Sequence, residues 1–405
     1  MHSAEPPEWR ALRKNVARFD GVSVIAGPVC LPATLTTVKM GPMHWRRAYG
    51  SGLVAIAVAA ALIPLPALFV ERWFSAGLYP RLQSAITPFT NAVPFAWFDV
   101  ILVVSIGGAL TLFVKAARRS LRQRNWRPLF EWSWVVAVAT AAGYLVFLAV
   151  WGLNYRRLPM EQRIVFKAAA PLPGDLKQLG MDAIARVNAL HARAHVIGWS
   201  SEEWRNAGLV DAFRAAQASL VDAPPVAPGR LKATILGPYF RWTGIDGMVD
   251  PFALEVLANP DLLPWERPFV AAHEWAHLAG FADESEASFV AWLAMLRGDE
   301  AAQYSGWLYV YWQVSGDLGP ADRQLLAEAL ETGPRRDVSA IVERLRRGQL
   351  PALRTASWAV YDQYLRANRV EEGIRSYGEV VTLILRARFA DGFRPVRRGV
   401  SAPLR

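Results

Sequence analysis

The chain has 405 residues, of which 53% are hydrophobic and only 20% charged, with 17 Trp among them. Those proportions exclude a disordered chain and an ordinary soluble enzyme. The net charge of +10 suggests nucleic acid or an anionic membrane surface until its distribution is known, and a single cysteine, Cys30, excludes an intrachain disulfide.

Residues 1–47 hold seven Lys/Arg and three acids. They contain neither a long apolar run nor a small-residue cleavage site, so they are not a signal peptide. Met40 and Met43 stand just before His44-Trp45-Arg46-Arg47, the positive flank of the first apolar run, and a start at either methionine is expected. Three uncharged runs follow, Ala48–Val70 (23 residues), Val100–Val114 (15) and Trp132–Tyr155 (24). About 20 apolar residues span a bilayer core, so the first and third reach that length unaided. The second reaches it by extending back through Pro94–Phe98, which requires Asp99 to sit at the interface. Pro64 and Pro66 are expected to kink the first span, and Trp132, Trp134, Trp151 and Tyr155 to form an aromatic belt around the third. Three transmembrane helices are therefore expected, at about 48–70, 94–114 and 132–154.

The charges orient them. Loop 115–127 carries six Lys/Arg and no acid, whereas loop 71–93 has two Arg and one Glu. Positive loops stay cytoplasmic. The N-terminus and loop 115–127 are accordingly expected inside, with loop 71–93 and the whole domain 156–390 outside. Topology accounts for the basic charge, and no nucleic-acid partner is expected; the bilayer is the partner. Residues 152–333 have a net charge of −7, which suits a cation site, while 334–405 carry +8.

In the outer part, Ala168–Gly174 reads as a Pro-rich linker, and Asp175–Val196 and Ser201–Val221 as helices. Leu231–Leu236 alternates as a short strand, and Gly237–Asp250 is a loop or hairpin. Helices are expected over Glu266–Leu278, Glu284–Leu296, Ser305–Val314, Gly319–Arg347 and Ser357–Phe389. Asp391–Arg405 reads as a basic, solvated tail. The fold class is thus a mostly α membrane protein, with a helix-rich α+β outer domain and a small sheet before its central helix.

That central helix carries His273-Glu274-Trp275-Ala276-His277. Two histidines four apart share one helix face and can bind one ion. Zinc suits imidazole and keeps one position for water in catalytic sites. Glu274, beside the first His, is where a general base must sit for metal-assisted hydrolysis. The third ligand is sought among Asp283, Glu284 and Glu286. Glu286, at the start of the next helix, is favoured; Asp283, six residues after His277, is the alternative, and Glu284 best suits a charge complementing the helix dipole. His191 and His195 have the same spacing without an adjoining Glu, and are read as a solvated helix face.

Four motifs in order resemble a family of bacterial membrane-anchored proteins of unknown substrate, regarded as zinc metallopeptidases. They are WGLNYRRLP (Trp151–Pro159), PFVAAHEWAHLAGFADESEASFVAWL (Pro268–Leu293), the Tyr304-Ser305-Gly306 element, and YDQYLRANRVEEGIRSYGEVVTLIL (Tyr361–Leu385). The resemblance implies a gluzincin-like, zincin-type domain outside the cytoplasmic membrane. It implies His273 and His277 as Zn2+ ligands, Glu274 as base, and Glu284 and Glu286 as the acids of its ExEA element. Tyr304 is expected to donate a hydrogen bond in the transition state, with a packed interface tyrosine as the alternative. Phe252 and Glu255 match an upstream PFxGE element, in which Leu254 replaces the usual Gly. The function expected is zinc-dependent hydrolysis of peptide bonds in a peptide or protein substrate at the periplasmic membrane surface, the substrate adding a strand along Leu231–Leu236. The alternatives are a zinc amidase acting on cell-wall peptides and a non-catalytic structural or sensory zinc protein.

Overall fold

The computed structural model describes residues 42–368 and 379–398. Expectations about Cys30, the start of the chain and residues 399–405 lie outside the described residues. Helix α1 (Pro42–Leu62) stops where Pro64 and Pro66 remove backbone donors. The chain then bends by 109° into α2 (Ala67–Asn91), whose Val70–Leu78 stretch is wound as a π-helix. The prolines therefore break the first span rather than kink it. Helices α3 (Trp97–Gln123) and α4 (Arg127–Val150) are long and apolar enough to cross a membrane, and the bent pair supplies a third span if counted as one. Val103, Val104, Ile106 and Leu110 of α3 are exposed. A helix that is apolar and exposed along such a length is one that lipid solvates. The helices touch through Trp132, whose indole donates to Ala109 O (3.1 Å), and at Gly50, where a Cβ would stand 3.0 Å from Val138.

Two expectations are corrected here. Segment 71–93 is not a loop. It is helical almost throughout, and Tyr79, Gln83, Thr87 and Asn91 form a polar ridge at every fourth position. Each bonds to backbone of the later domain: Tyr79 to Leu278 O (2.8 Å), Gln83 to both Ala227 O and N (2.7 and 2.9 Å), Thr87 to Leu254 O (2.7 Å), and Asn91 to Pro228 O and Arg230 N (2.9 Å each). The aromatic belt is also incomplete, because Trp151 is 5% exposed and its indole donates to His277 O (3.0 Å) instead of facing lipid.

The later domain comprises α5 (Pro173–Ile197), α6 (Ala207–Ala218), β1 (Leu231–Lys232), α7 (Gly237–Thr243), β2 (Gly247–Asp250), β3 (Glu255–Ala258), α8 (Arg267–Leu278), α9 (Glu284–Met295), α10 (Glu300–Asp317), α11 (Pro320–Ala329), α12 (Thr332–Gly348), α13 (Pro351–Ala367), α14 (Glu379–Arg386), β4 (Phe389–Ala390) and β5 (Arg394–Pro395). Every residue of α9 is buried. From Phe289 to Met295 it carries only apolar residues, which calls for enclosure, and α9 lies among α6, α8, α10 and α14. The sheet order is β1-β3-β2, with β1 parallel and β2 antiparallel to the central β3.

The expected strand Leu231–Leu236 ends after Lys232, and Asp99 explains why. Its carboxylate accepts from Thr234 Oγ1 (2.6 Å) and Ile235 N (3.0 Å), turning the chain toward the first turn of α3. Asp99 thus sits at the end of α3 that meets the later domain. Lys232 and Glu255 are both fully buried and pair at 2.7 Å. Lys232 Nζ also donates to Thr90 O and Phe95 O (2.6 and 3.1 Å), and Glu255 accepts from Phe98 N (2.8 Å). This network ties the α2–α3 connection to the sheet, so Glu255 of the PFxGE-like element is structural. Leu254 beside it adopts φ 47°, the left-handed backbone that glycine takes freely, while its side chain is completely buried. Lys232→Met is expected to destabilise the protein by about 3–5 kcal/mol, because it strands a buried carboxylate. Unfolding of the purified protein measures it, and an unchanged unfolding midpoint contradicts this assignment.

Residues 391–398 are exposed apart from Pro395, as expected of a solvated tail, but they are paired to the rest of the chain. Phe389–Ala390 pairs with Arg394–Pro395, Val165 N donates to Val396 O (2.7 Å), and Arg397 forms a two-pronged ion pair with Asp222 (2.6 Å). Residues 391–398 are built into the fold.

Candidate metal centre

Helix α8 presents His273 and His277 on one face, with their Nε2 atoms 3.1 Å apart. Its C-terminal carbonyls, which lack partners within a helix, are held by α2 and the segment that follows α4. His277 O accepts from Trp151, Leu278 O from Tyr79, and Gly280 O from Arg157 Nη1 (2.8 Å). The chain reverses at Gly280 (φ 84°), where Asn154 and Arg157 press so close that a Cβ would collide with the Asn154 amide. The WGLNYRRLP junction is therefore the brace of the histidine helix.

Asp283 is the N-cap of α9, its side chain accepting from Ser285 N and Glu286 N. That cap sets the register. Residues 284 and 288, one turn apart, face α8, and residue 286 lies about 200° round the helix. Glu284 Oε2 stands 3.1 Å from His273 Nε2 and 3.4 Å from His277 Nε2. Glu286 points the other way and accepts from Met160 N (2.5 Å). The carboxylate brought to the two histidines is Glu284, and the expectations for Glu286 and Asp283 are corrected accordingly.

Ligand atoms of His273, His277 and Glu284 all lie within 4.8 Å of one another. Both imidazoles are held by their other nitrogen. His277 Nδ1 donates to Phe281 O (2.7 Å), and His273 Nδ1 contacts Ser288 Oγ (3.1 Å), which accepts from Tyr309 (2.9 Å). Partners of this kind fix ring orientation and leave Nε2 as the ligating atom. Glu284 Oε1 accepts from Tyr361 of α13 (2.6 Å). Tyr361 belongs to the C-terminal motif, but nothing in its local pattern distinguishes it from Tyr364 one turn later. Asp283 as N-cap, followed by Glu284 and Ser288 at helical spacing, is the sequence signal that turns Glu284 toward α8.

Glu274 is buried, and its Oε2 has no hydrogen-bond partner. Burial pushes its carboxyl up to about 8. Strand β2 passes directly over it, and a Cβ at Gly247 would collide with Glu274 Oε1. The strand edge beside the histidine helix is thus β2, not the expected Leu231–Leu236. Burial by itself would lower His277, but the neighbouring Glu284 and Glu274 outweigh it and push the imidazole up to about 9. Burial likewise works to raise Glu284, yet His277 and His273 hold it well below the usual carboxylate range. His273 is lowered, mainly by burial.

Tyr304 is not at this centre. Its hydroxyl donates to Asp337 of α12 (2.6 Å). There it meets His191 and His195, which are part-exposed as expected but are also paired: His195 Nε2 lies 2.8 Å from Asp337 Oδ2 and His191 Nε2 3.5 Å from it.

The chain matches the family model described as "Protein of unknown function (DUF3810)" over residues 74–385 and belongs to that family. No curated protein and no solved structure matches it.

Proposed function

We propose that this DUF3810 protein is a membrane-anchored, zinc-dependent hydrolase that cleaves peptide bonds outside the cytoplasmic membrane. The observation carrying the proposal is the convergence of His273, His277 and Glu284 beside a buried Glu274 that has an unpartnered oxygen. Two imidazoles and one carboxylate suit zinc, and three protein ligands leave a position open, as in catalytic rather than structural sites. When bound, zinc supplies acidity to water and polarises a carbonyl. Glu274 is the base that takes the water's proton and passes it to the leaving amine. Tyr361 donates to Glu284 and would orient that carboxylate as an outer-shell partner. Strand β2 is half-exposed and pairs with β3 alone among the described strands, so an extended peptide can add along its free edge above Glu274. An edge strand, a HExxH helix and a carboxylate-bearing helix are the parts on which the gluzincin-like reading rests.

The topology rests on α3. Asp99 bonds to the outer domain at one end, and Arg118, Arg119 and Arg122 stand roughly 30 Å along the helix from it, about the thickness of a bilayer core. The arginines are cytoplasmic by the positive-inside rule, so the catalytic domain is outside. Because α2 is bonded to that domain, it lies on the same face of the membrane, with Phe69, Trp73 and Phe89 exposed for the interface.

The test uses full-length protein in detergent, digesting a peptide library and, in parallel, purified cell-wall sacculi. Hydrolysis is expected to stop on chelation and return with zinc. The arm that responds identifies protein or cell-wall peptide as substrate. Hydrolysis of neither, or hydrolysis indifferent to chelation, removes the proposal.

A further inference from the structure

A second group of metal-ligating side chains lies on different helices. His191 and His195, four apart on α5, face Asp337 on α12, and the ligand atoms of all three lie within 4.8 Å of one another. The imidazole centroids are 4.3 Å apart. Asp337 is 6% exposed, whereas the His191 and His195 side chains are 24% and 35% exposed, so the group is anchored on a buried carboxylate and opens toward solvent. Its surroundings are shaped to it. Gly333, one turn before Asp337, lies so close to His191 that a Cβ would overlap the ring. Trp199, Trp265 and Tyr304 wall the His195 ring, with centroids 5.0, 5.8 and 6.1 Å away. Tyr304 donates to Asp337 Oδ2 (2.6 Å), which orients the carboxylate as an outer-shell partner does.

We propose that His191, His195 and Asp337 form a second site for a divalent transition cation of the zinc class. Two imidazoles with one carboxylate select such an ion over magnesium or calcium, which take oxygen ligands. Three protein ligands at a solvent-facing rim leave room for water or an exchangeable ligand. The ion joins α5 to α12 and, through Tyr304, to α10. The same α10 sends Tyr309 to Ser288 at the first centre, so one helix supports both groups. The inference stands on its own residues and does not depend on the hydrolase reading.

Cobalt(II) loaded into full-length protein in detergent is the probe, counted by elemental analysis and by visible absorption. Wild type is expected to hold two ions per chain. His191→Gln/His195→Gln and Asp337→Asn should each hold one, and His273→Gln/His277→Gln should also hold one. A single wild-type ion lost only in the His273/His277 variant overturns the second site and leaves the first. A single ion lost only in the His191/His195 variant upholds the second site and removes the first. Where a variant fails to fold, two ions in the wild type uphold the site, and with fewer the modification experiment decides. Zinc is expected to slow diethylpyrocarbonate modification of His191 and His195 at least tenfold, as read by peptide mass spectrometry, and unchanged modification overturns the site.

Discussion

Glu274→Gln is expected to lower the turnover of peptide hydrolysis by about 10²–10⁴-fold, the usual share of a positioned base, while zinc content stays at the wild-type level. The two effects separate because Glu274 is outside the group formed by His273, His277 and Glu284. Glutamine keeps the shape under Gly247 but cannot accept a proton. Stability gives an independent readout. In the metal-free protein, burial pushes the Glu274 carboxyl up to about 8, well above its value of about 4.3 in an unfolded chain. A raised acid favours the folded state at low pH. That contribution is whole near pH 4 and is lost as pH rises toward 8. Metal-free Glu274→Gln should therefore match wild type near pH 4–5 and unfold at higher temperature than wild type at pH 8. Wild-type turnover in this variant would end the assignment of Glu274 as base.

The second large effect separates two glutamates two residues apart. Glu284→Gln is expected to weaken zinc binding by at least about 100-fold, because a charged ligand is removed rather than an outer-shell partner. Glu286→Gln should bind zinc as wild type does. Its carboxyl is pushed up to about 7 by burial, which the nearby Arg163 partly offsets, and its work is to accept from Met160 N. Competition with a zinc indicator measures both variants, and loss of zinc in Glu286→Gln alone would restore that residue as ligand. The same titration has a defined pH dependence. With His277 pushed up to about 9, zinc must displace its proton at neutral pH, so uptake should release protons and affinity should tighten from pH 7 to 9. His273, lowered by burial, adds no such dependence in that range.

The features legible in the chain were those whose signal is local. Long uncharged runs declare α3 and α4 whatever lies around them, because lipid burial needs only length and apolarity. His273, Glu274 and His277 are legible because one helix places them on one face. Local signals also misled. Uncharged length carried the first span through Ile63–Pro66, where two missing donors break the helix. Moderate polarity made 71–93 look like a loop, although Tyr79, Gln83, Thr87 and Asn91 repeat at helical spacing. Their partners are backbone groups more than a hundred residues away.

What the sequence by itself determined is therefore the two long apolar helices α3 and α4, the basic segment between them, and the histidine pair with its neighbouring acid. Tertiary structure alone decided which carboxylate completes each pair. Glu284 rather than Glu286 faces α8 because a cap at Asp283 sets the rotation of α9 against it. Asp337 reaches His191 and His195 across 142 residues from the latter because Gly333 lets α12 approach α5 closely. Tyr304 follows that second group for the same reason. Helical periodicity places side chains on a face, but only the packing of one helix on another says what that face meets.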